Sequence, residues 1–375
     1  MFSLLIGSPI KNLKPEPDMD TPSRAGEEVD SILNRLRSGR GSRRLEAARE
    51  VRRLTRTSSN NRRRLAGAVE PIVAMLRSGS AEDAEAALLA LLNLAVKDES
   101  NKTKIIDVGA LDPLINFLRS PNSVLQENVA AALLTLLASS TNKPAIASSA
   151  AVPRLVGVLD SGTPQARADA IIALSNLSAA PNALHDILLS APVPRLIGLL
   201  KASDKSSRTA ERCTSLLEPL LAFNEARTAL AAEPGGVLAV VEAVEDGSPR
   251  AREHAVGALL TLCRSDRSKY REAILNEGVI PGLLELTVQG IEKGRGEARE
   301  LLGLLRESSG RRQDGGTLER IVTDMMWRFD GEEGSGKAKR MLAEMVKVSM
   351  EQSLRHLEQR VAMVRAAPTQ GLFSS

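Results

Sequence analysis

The sequence predicts an all-α fold: a right-handed superhelical solenoid of about seven three-helix repeats, followed by a helical tail. Three observations carry that prediction. A stretch of the chain rewrites itself: "GAVEPIVAMLRSG" from Gly67, "GALDPLINFLRSP" from Gly109, "AAVPRLVGVLDSG" from Ala150, "APVPRLIGLLKAS" from Ala191, "GGVLAVVEAVEDG" from Gly235 and "GVIPGLLELTVQG" from Gly278. The copies begin 42, 41, 41, 44 and 43 residues apart, the range of a repeat architecture. The apolar residues inside each copy fall at helical spacing. Hydrophobic content is 43% with only 2% aromatic, so the core must be Leu, Ile, Val and Ala, which suits close-packed helices better than sheets.

Each repeat opens on Gly or Ala after a short helical run. Gly suits that place because it accepts the left-handed conformation that closes a helix. Pro71, Pro113, Pro153 and Pro194 come next, near a helix start, where a missing N–H matters little. The medium helix shows one apolar face: Val69, Ile72, Val73 and Leu76 in the first clear copy, Val152, Leu155, Val156 and Leu159 in a later one. "RSG" or "DSG" then reads as a turn. A long helix ends the unit, with small residues in one column (Ala47, Ala87, Val129, Ala170, Cys213, Ala255) and a leucine seven places on (Leu54, Leu94, Leu136, Leu177, Leu220, Leu262). One unit cannot bury its apolar face alone, whereas stacked neighbours can.

A weaker copy starts at Glu27 and a truncated one ends at Ser308, placing the solenoid at 27–308. Residues 1–26 are Pro- and charge-rich and read as a disordered tail. A linker follows at 309–316. In the tail at 317–375, Val346, Met350, Leu354, Leu357, Val361 and Val364 form an amphipathic stripe, expected to cap the last repeat.

A three-helix unit of this length matches the armadillo class. "QENVAAALLTLLA" from Gln126, "REHAVGALLTLCR" from Arg252 and "YREAILNEGVIPGLLELTVQG" from Tyr270 resemble the armadillo region of the plant U-box/armadillo ubiquitin-ligase family. The resemblance implies protein partners, receptor kinases or ubiquitination substrates among them. In that family a U-box precedes the repeats; here only residues 1–26 do, so an armadillo-only relative is expected, without ligase activity of its own.

No catalytic constellation, metal-ligand spacing or phosphate loop stands out, so no enzyme activity, metal or cofactor is expected. Cys213 and Cys263 cannot make a disulfide framework and read as buried thiols. No apolar run is long enough to span a bilayer, and the start is a poor signal peptide. The expected setting is the cytosol or nucleus.

The expected functional surface is the groove lined by the long helices. The importin-like branch carries an Asn ladder there; in this chain the column reads Arg53, Asn93, Thr135, Asn176, Pro219 and Thr261. Its Trp column, one turn earlier, reads Arg49, Leu89, Ala131, Ile172, Ser215 and Gly257. That counts against importin-style recognition of basic peptides. Asn93, Thr135 and Asn176 remain candidates for holding a peptide backbone. Glu85, Glu127, Glu211 and Glu253 form a further column, read either as an acidic groove or as helix N-terminal carboxylates favoured by the dipole. Arg43, Arg44, Arg49, Arg53, Arg62, Arg63 and Arg64 crowd the first repeats as a basic patch. It reads as a solvated face, a site for an acidic protein, or a peripheral membrane contact. Without interleaved aromatics, sequence-specific nucleic-acid binding is not expected. The leading function is a protein-binding scaffold in ubiquitin or kinase signalling. The alternatives are the substrate-recognition part of a U-box ligase whose catalytic domain is supplied separately, and an importin-like binder.

Overall fold

A computed structural model describes residues 24–39, 41–77 and 80–306. The N-terminal tail to residue 23, the linker at 309–316 and the tail with its expected capping stripe lie outside these. All regular structure among the described residues is helical. The chain divides into two compact units, Met1–Ala110 and Leu111–Ser375.

The first unit contains α1 (Arg24–Ser38), α2 (Ser42–Thr55), α3 (Ser59–Arg64), a 3-10 turn at Ala66–Ala68, α4 (Val69–Leu76), α5 (Ala81–Ala95) and α6 (Glu99–Asp107). The long helices α2 and α5 pack on each other, and α1 and α4 back them as medium helices. The second unit continues the order short, medium, long: α7 (Leu111–Phe117), α8 (Ser123–Leu137), α9 (Lys143–Ala147), α10 (Ala151–Ser161), α11 (Pro164–Ser178), α12 (Pro181–Leu189) and α13 (Pro192–Ala202). After these come α14 (Arg208–Leu220), α15 (Asn224–Ala232), α16 (Gly236–Asp246), α17 (Pro249–Ser265), α18 (Arg267–Asn276), α19 (Ile280–Gln289) and α20 (Glu292–Leu305). Here α8, α11, α14, α17 and α20 stack in sequence as one layer of long helices, and the medium helices α10, α13, α16 and α19 form the layer behind. Seven medium–long pairs are present among the described residues, and the fold is the all-α solenoid the period predicted.

The columns behave as packing requires. Ala47, Ala87, Val129, Ala170, Cys213 and Ala255 are all fully buried, because two helices approach closely there. The leucine column is buried from Leu94 to Leu262; Leu54 is only half-buried, since no described helix lies on its outer side. Burial pushes the thiol of Cys213 up to about 12 and that of Cys263 to about 11.

Local chemistry sets the helix ends. The long helices α5, α8, α11, α14 and α17 start on side-chain caps: Ser80 accepts from Asp83 N–H at 3.3 Å, Asn122 from Leu125 N–H at 3.2 Å, Thr163 from Ala166 N–H at 3.1 Å, Ser207 from Ala210 N–H at 3.2 Å and Ser248 from Ala251 N–H at 3.2 Å. Each satisfies one donor that the first turn leaves open. Gly109, Gly235 and Gly278 take the left-handed conformation expected of them, and Ala191 takes it too, with φ 49°. Ala150 does not (φ −72°), and Gly67 lies within the 3-10 turn, so helix closure varies between repeats.

The C-terminal carbonyls of the long helices are met by the next short helix. Asn61 Nδ2 donates to Leu54 O at 3.0 Å, Asn101 Nδ2 to Leu94 O at 3.1 Å and Asn142 Nδ2 to Leu136 O at 3.2 Å. Arg227 donates to Leu221 O and Ala222 O; at the end of α20 the donor comes instead from the preceding short helix, Arg271 of α18 to Leu305 O. Arg62 is the strongest of these clamps. It is 6% exposed, and its guanidinium donates to Thr55 O, Asn93 O and Arg56 O at 3.0, 3.1 and 3.2 Å. The sequence reading placed Arg62 in a surface patch; the structure places it inside, as the donor for three backbone carbonyls.

The last repeat presents a polar outer face. Arg299 is exposed in the column where Ile171, Thr214 and Val256 are buried. Gly303 is exposed where Leu260 is buried.

Behind the long helices, Glu245 of α16 is half-buried. A Cβ added at Gly282 of α19 would lie 3.0 Å from its Cγ. Its carboxyl is pushed up from 4.5 to about 7, first by burial, then by Asp246 and Glu242, with Arg252 opposing. A carboxyl raised in the folded state stabilises the protein fully below 4.5 and loses that contribution as pH rises through 7. The full shift corresponds to about 3 kcal/mol, and solvent screening of this partly exposed group reduces it to about 1–2 kcal/mol. Glu245→Gln should therefore melt higher than the parent at pH 8.5 and close to it at pH 4. Equal melting curves at pH 8.5 would show that the carboxyl carries no such penalty.

The exposed face of the long helices as a candidate binding site

In the first unit most of the predicted basic patch is already engaged. Arg49 pairs with Glu82 at 2.7 Å and Arg44 with Asp83 at 3.7 Å, both linking α2 to α5. Arg53 pairs with Glu50 at 2.6 Å. Arg62 is inside and Arg64 is half-buried; Arg43 and Arg63 are exposed, as are the ion-paired Arg49 and Arg53. Asn93 is also engaged: its Nδ2 donates to Arg52 O at 2.9 Å. Its amide therefore ties neighbouring long helices together. Glu85 lies half-exposed on the same helix.

In the second unit the predicted residues line one face of α8, α11, α14 and α17, but they are not equivalent. The carboxylates of Glu127 and Glu211 accept from hydroxyls in the next repeat: Thr163 at 2.6 Å and Ser248 at 3.1 Å. These hydroxyls are the caps of α11 and α17, so each accepts a helix N–H and donates its own O–H to the carboxylate. Through these hydroxyls, each carboxylate supports the N-terminus of a long helix in the next repeat. Thr135 Oγ1 donates to Ala131 O within α8 at 2.8 Å.

The centre of the face is α11. Asp169 is 7% exposed and receives Gln165 Nε2 at 2.9 Å; burial pushes its carboxyl up, against the bond from Gln165 and the charge of Arg212. One turn on stands Ile172, and one further stands Asn176, both half-exposed. Asn176 makes no side-chain hydrogen bond among the described residues. Two donor and two acceptor sites thus face outward beside an apolar side chain and an acid, a combination that can hold an extended backbone.

Further along, three helices share a charged cluster that the columns did not reveal. His254 Nδ1 lies 2.6 Å from Glu218 Oε2. Lys293 of α20 donates to Glu218 Oε1 of α14 at 2.9 Å and lies 3.6 Å from Glu297. Burial works to raise Glu218, but the bonds from His254 and Lys293 outweigh it and hold the carboxyl low. Burial also works against the charge on Lys293, yet Glu218, Glu297 and Glu253 hold it high. Glu297 is pushed up, first by burial, with Lys293 opposing and Glu218 and Glu253 adding. Its Oε2 is buried with no hydrogen-bond partner. Arg264 is committed elsewhere, bidentate to Glu300 at 2.7 and 2.6 Å. No cluster with metal-ligand geometry occurs among the described residues, and none of their helices is by itself long and apolar enough to cross a membrane.

Known proteins agree with this architecture. U-box domain-containing protein 17 of Arabidopsis thaliana is 33% identical over 277 residues, 73% of this chain and 38% of that protein. U-box domain-containing protein 45 of Arabidopsis thaliana is 36% identical over 106 residues, 28% of this chain and 13% of that protein. The chain thus spans well under half the length of either relative. Among solved structures, a crystal structure of an engineered protein superposes with a TM-score of 0.67 at 23% identity, covering 86% of this chain and 79% of that one. That likeness concerns the fold alone. The family described as plant U-box protein ARM repeat region matches residues 28–314; the chain belongs to that family.

Proposed function

We propose that this chain is a non-enzymatic scaffold that binds an extended segment of a partner protein along the exposed face of the second unit's long helices. The observation that carries this is Asn176, whose amide is unbonded within the described residues while Asn93, in the same column, is consumed by Arg52 O. A half-exposed amide with no internal partner, flanked by Ile172 and the buried acid Asp169, suits main-chain capture beside a basic or apolar side chain. The likeness to U-box domain-containing proteins supports a role in ubiquitin-linked signalling, with substrates or kinases as the proposed partners. The exposed remainder of the basic patch, Arg43 and Arg63, has a secondary part at most.

The test is selection of a random peptide display library on the immobilised protein. Peptides that bind the parent should bind Asn176→Ala with Ile172→Asp about tenfold or more weakly, from two lost hydrogen bonds and a lost apolar contact. Added salt should weaken them further where a basic residue meets Asp169. Selected peptides that bind the double variant as well as the parent, or that are lost instead with Arg43→Glu and Arg63→Glu, would overturn this reading.

A further inference from the structure

We propose that the main-chain carbonyl of Ser215 on α14 is an acceptor for one main-chain N–H of a bound protein segment, left open for it by Pro219. The proposal rests on the proposed binding of an extended segment and adds a second anchor to the same face. Pro219 lies inside α14, in the column of Asn176, and α11 and α14 pack on each other. In an α-helix the N–H of residue 219 would close on the carbonyl of Ser215. Proline has no N–H and sets its ring against that carbonyl. The helix resumes at once, with Leu221 N–H donating to Leu217 O at 3.0 Å, so the interruption falls on this one carbonyl.

The same column in other repeats of this unit shows what is missing. Thr135 Oγ1 donates to Ala131 O at 2.8 Å on α8, and Thr261 Oγ1 to Gly257 O at 2.9 Å on α17. Those carbonyls take a helix N–H and a hydroxyl; Ser215 O has neither, since Pro219 carries no donor. The carbonyl is also on the accessible side. Ser215 is half-exposed and Pro219 exposed, and the carbonyl lies between them, from one turn to the next. Asn176, the column neighbour on α11, is half-exposed and unbonded among the described residues. The two open groups suit successive contacts of one extended chain. Its N–H groups on one side recur every second residue, about 7 Å. That is near the spacing of about 8–10 Å between packed helix axes, and the Asn176 side chain reaches across the difference. The occupant is therefore an extended main chain with a residue other than proline opposite Ser215.

The test uses peptides selected by display on the whole chain, one of them resynthesised with an N-methyl group at each position in turn. Pro219→Ala returns the helix N–H, and Pro219→Thr returns both the N–H and the hydroxyl, as in α8 and α17. Both variants should melt higher than the parent, because a proline is removed from a helix. Both should bind the peptide about tenfold or more weakly. In the parent, N-methylation at one position should cost about tenfold. In Pro219→Thr the same modification should cost no more than at neighbouring positions. A change of helix shape alone would lower affinity and leave that penalty intact, so an unchanged penalty overturns the proposal, as does full binding by both Pro219 variants. Ser215→Ala keeps the carbonyl and should bind within about threefold of the parent; a larger loss would make the hydroxyl the acceptor and overturn it too. Peptides lost with Asn176→Ala but kept by Pro219→Thr refute this acceptor alone. Peptides lost with Pro219→Thr but kept by Asn176→Ala with Ile172→Asp leave the acceptor standing and refute Asn176 as an anchor. Peptides indifferent to all of these variants refute both.

Discussion

Arg62→Met should destabilise the first unit by about 3–5 kcal/mol, in the range for removing one partner of a buried charged network. The guanidinium serves three carbonyls: Thr55 O and Arg56 O at the end of α2, and Asn93 O near the end of α5. Methionine fills much of the volume but donates nothing, so all three acceptors lose their donor. Arg62's own carbonyl accepts from Asn101 Nδ2 at 3.1 Å, so disturbance of α3 also reaches the next clamp. Arg63→Met, one residue on and exposed, should change stability by no more than about 0.5 kcal/mol. Urea unfolding of the two variants decides the matter. Equal midpoints would mean that Arg62 is a surface charge after all.

The contrast between Arg62 and Arg63 shows where the sequence was readable. The fold was legible because its signal is repeated: six copies of one apolar column outweigh any local exception, and columns such as Ala87, Val129 and Ala170 are buried because the same contact recurs. The clamp was legible too, in a signal that went unused. Asn61, Asn101 and Asn142 head successive short helices 40 and 41 residues apart, and the residue after Asn61 is Arg62. In a run of three arginines, charge alone suggested a patch, whereas the period marks one of them as a structural donor. Lys102, its counterpart beside Asn101, is likewise only 5% exposed.

The candidate binding face was less legible. The columns found its residues but treated them as equivalent, and hydrogen bonding then divided them. Asn93 bonds a neighbouring helix and Asn176 does not. Glu127 and Glu211 serve the caps of the next repeat. The charged cluster of Glu218, His254 and Lys293 was hidden for a geometric reason. Its members are 36 and 75 residues apart, neither of which is a whole number of repeats. Long helices in contact are displaced along their axes, so residues that touch come from different columns.

The small-residue column makes the steepest demand on sequence and gives the largest expected effect. Ala170 is fully buried in the middle of α11, and Val129 and Cys213 hold the same place on α8 and α14. Helices packed this closely leave little room for a longer, charged side chain at that depth. Ala170→Asp would bury a carboxyl without a partner; a lone buried charge costs several kcal/mol even after relaxation. Overpacking typically adds about 1–3 kcal/mol. A loss above about 4 kcal/mol is expected, enough to remove the cooperative melting of the second unit at neutral pH. The defect should soften in acid, because a buried carboxyl has a raised pKa and is neutral below it, so the folded state recovers stability as pH falls. Cys213→Ala restores the commonest residue of the column and should lose only about 1 kcal/mol or less, since one sulfur is removed from a site where alanine already packs elsewhere. Thermal melts at pH 7 and pH 4 compare the two. If Ala170→Asp melts within a few degrees of the parent at pH 7, the helices are not closed against each other at this column, and the packing that defines the repeat has been misplaced.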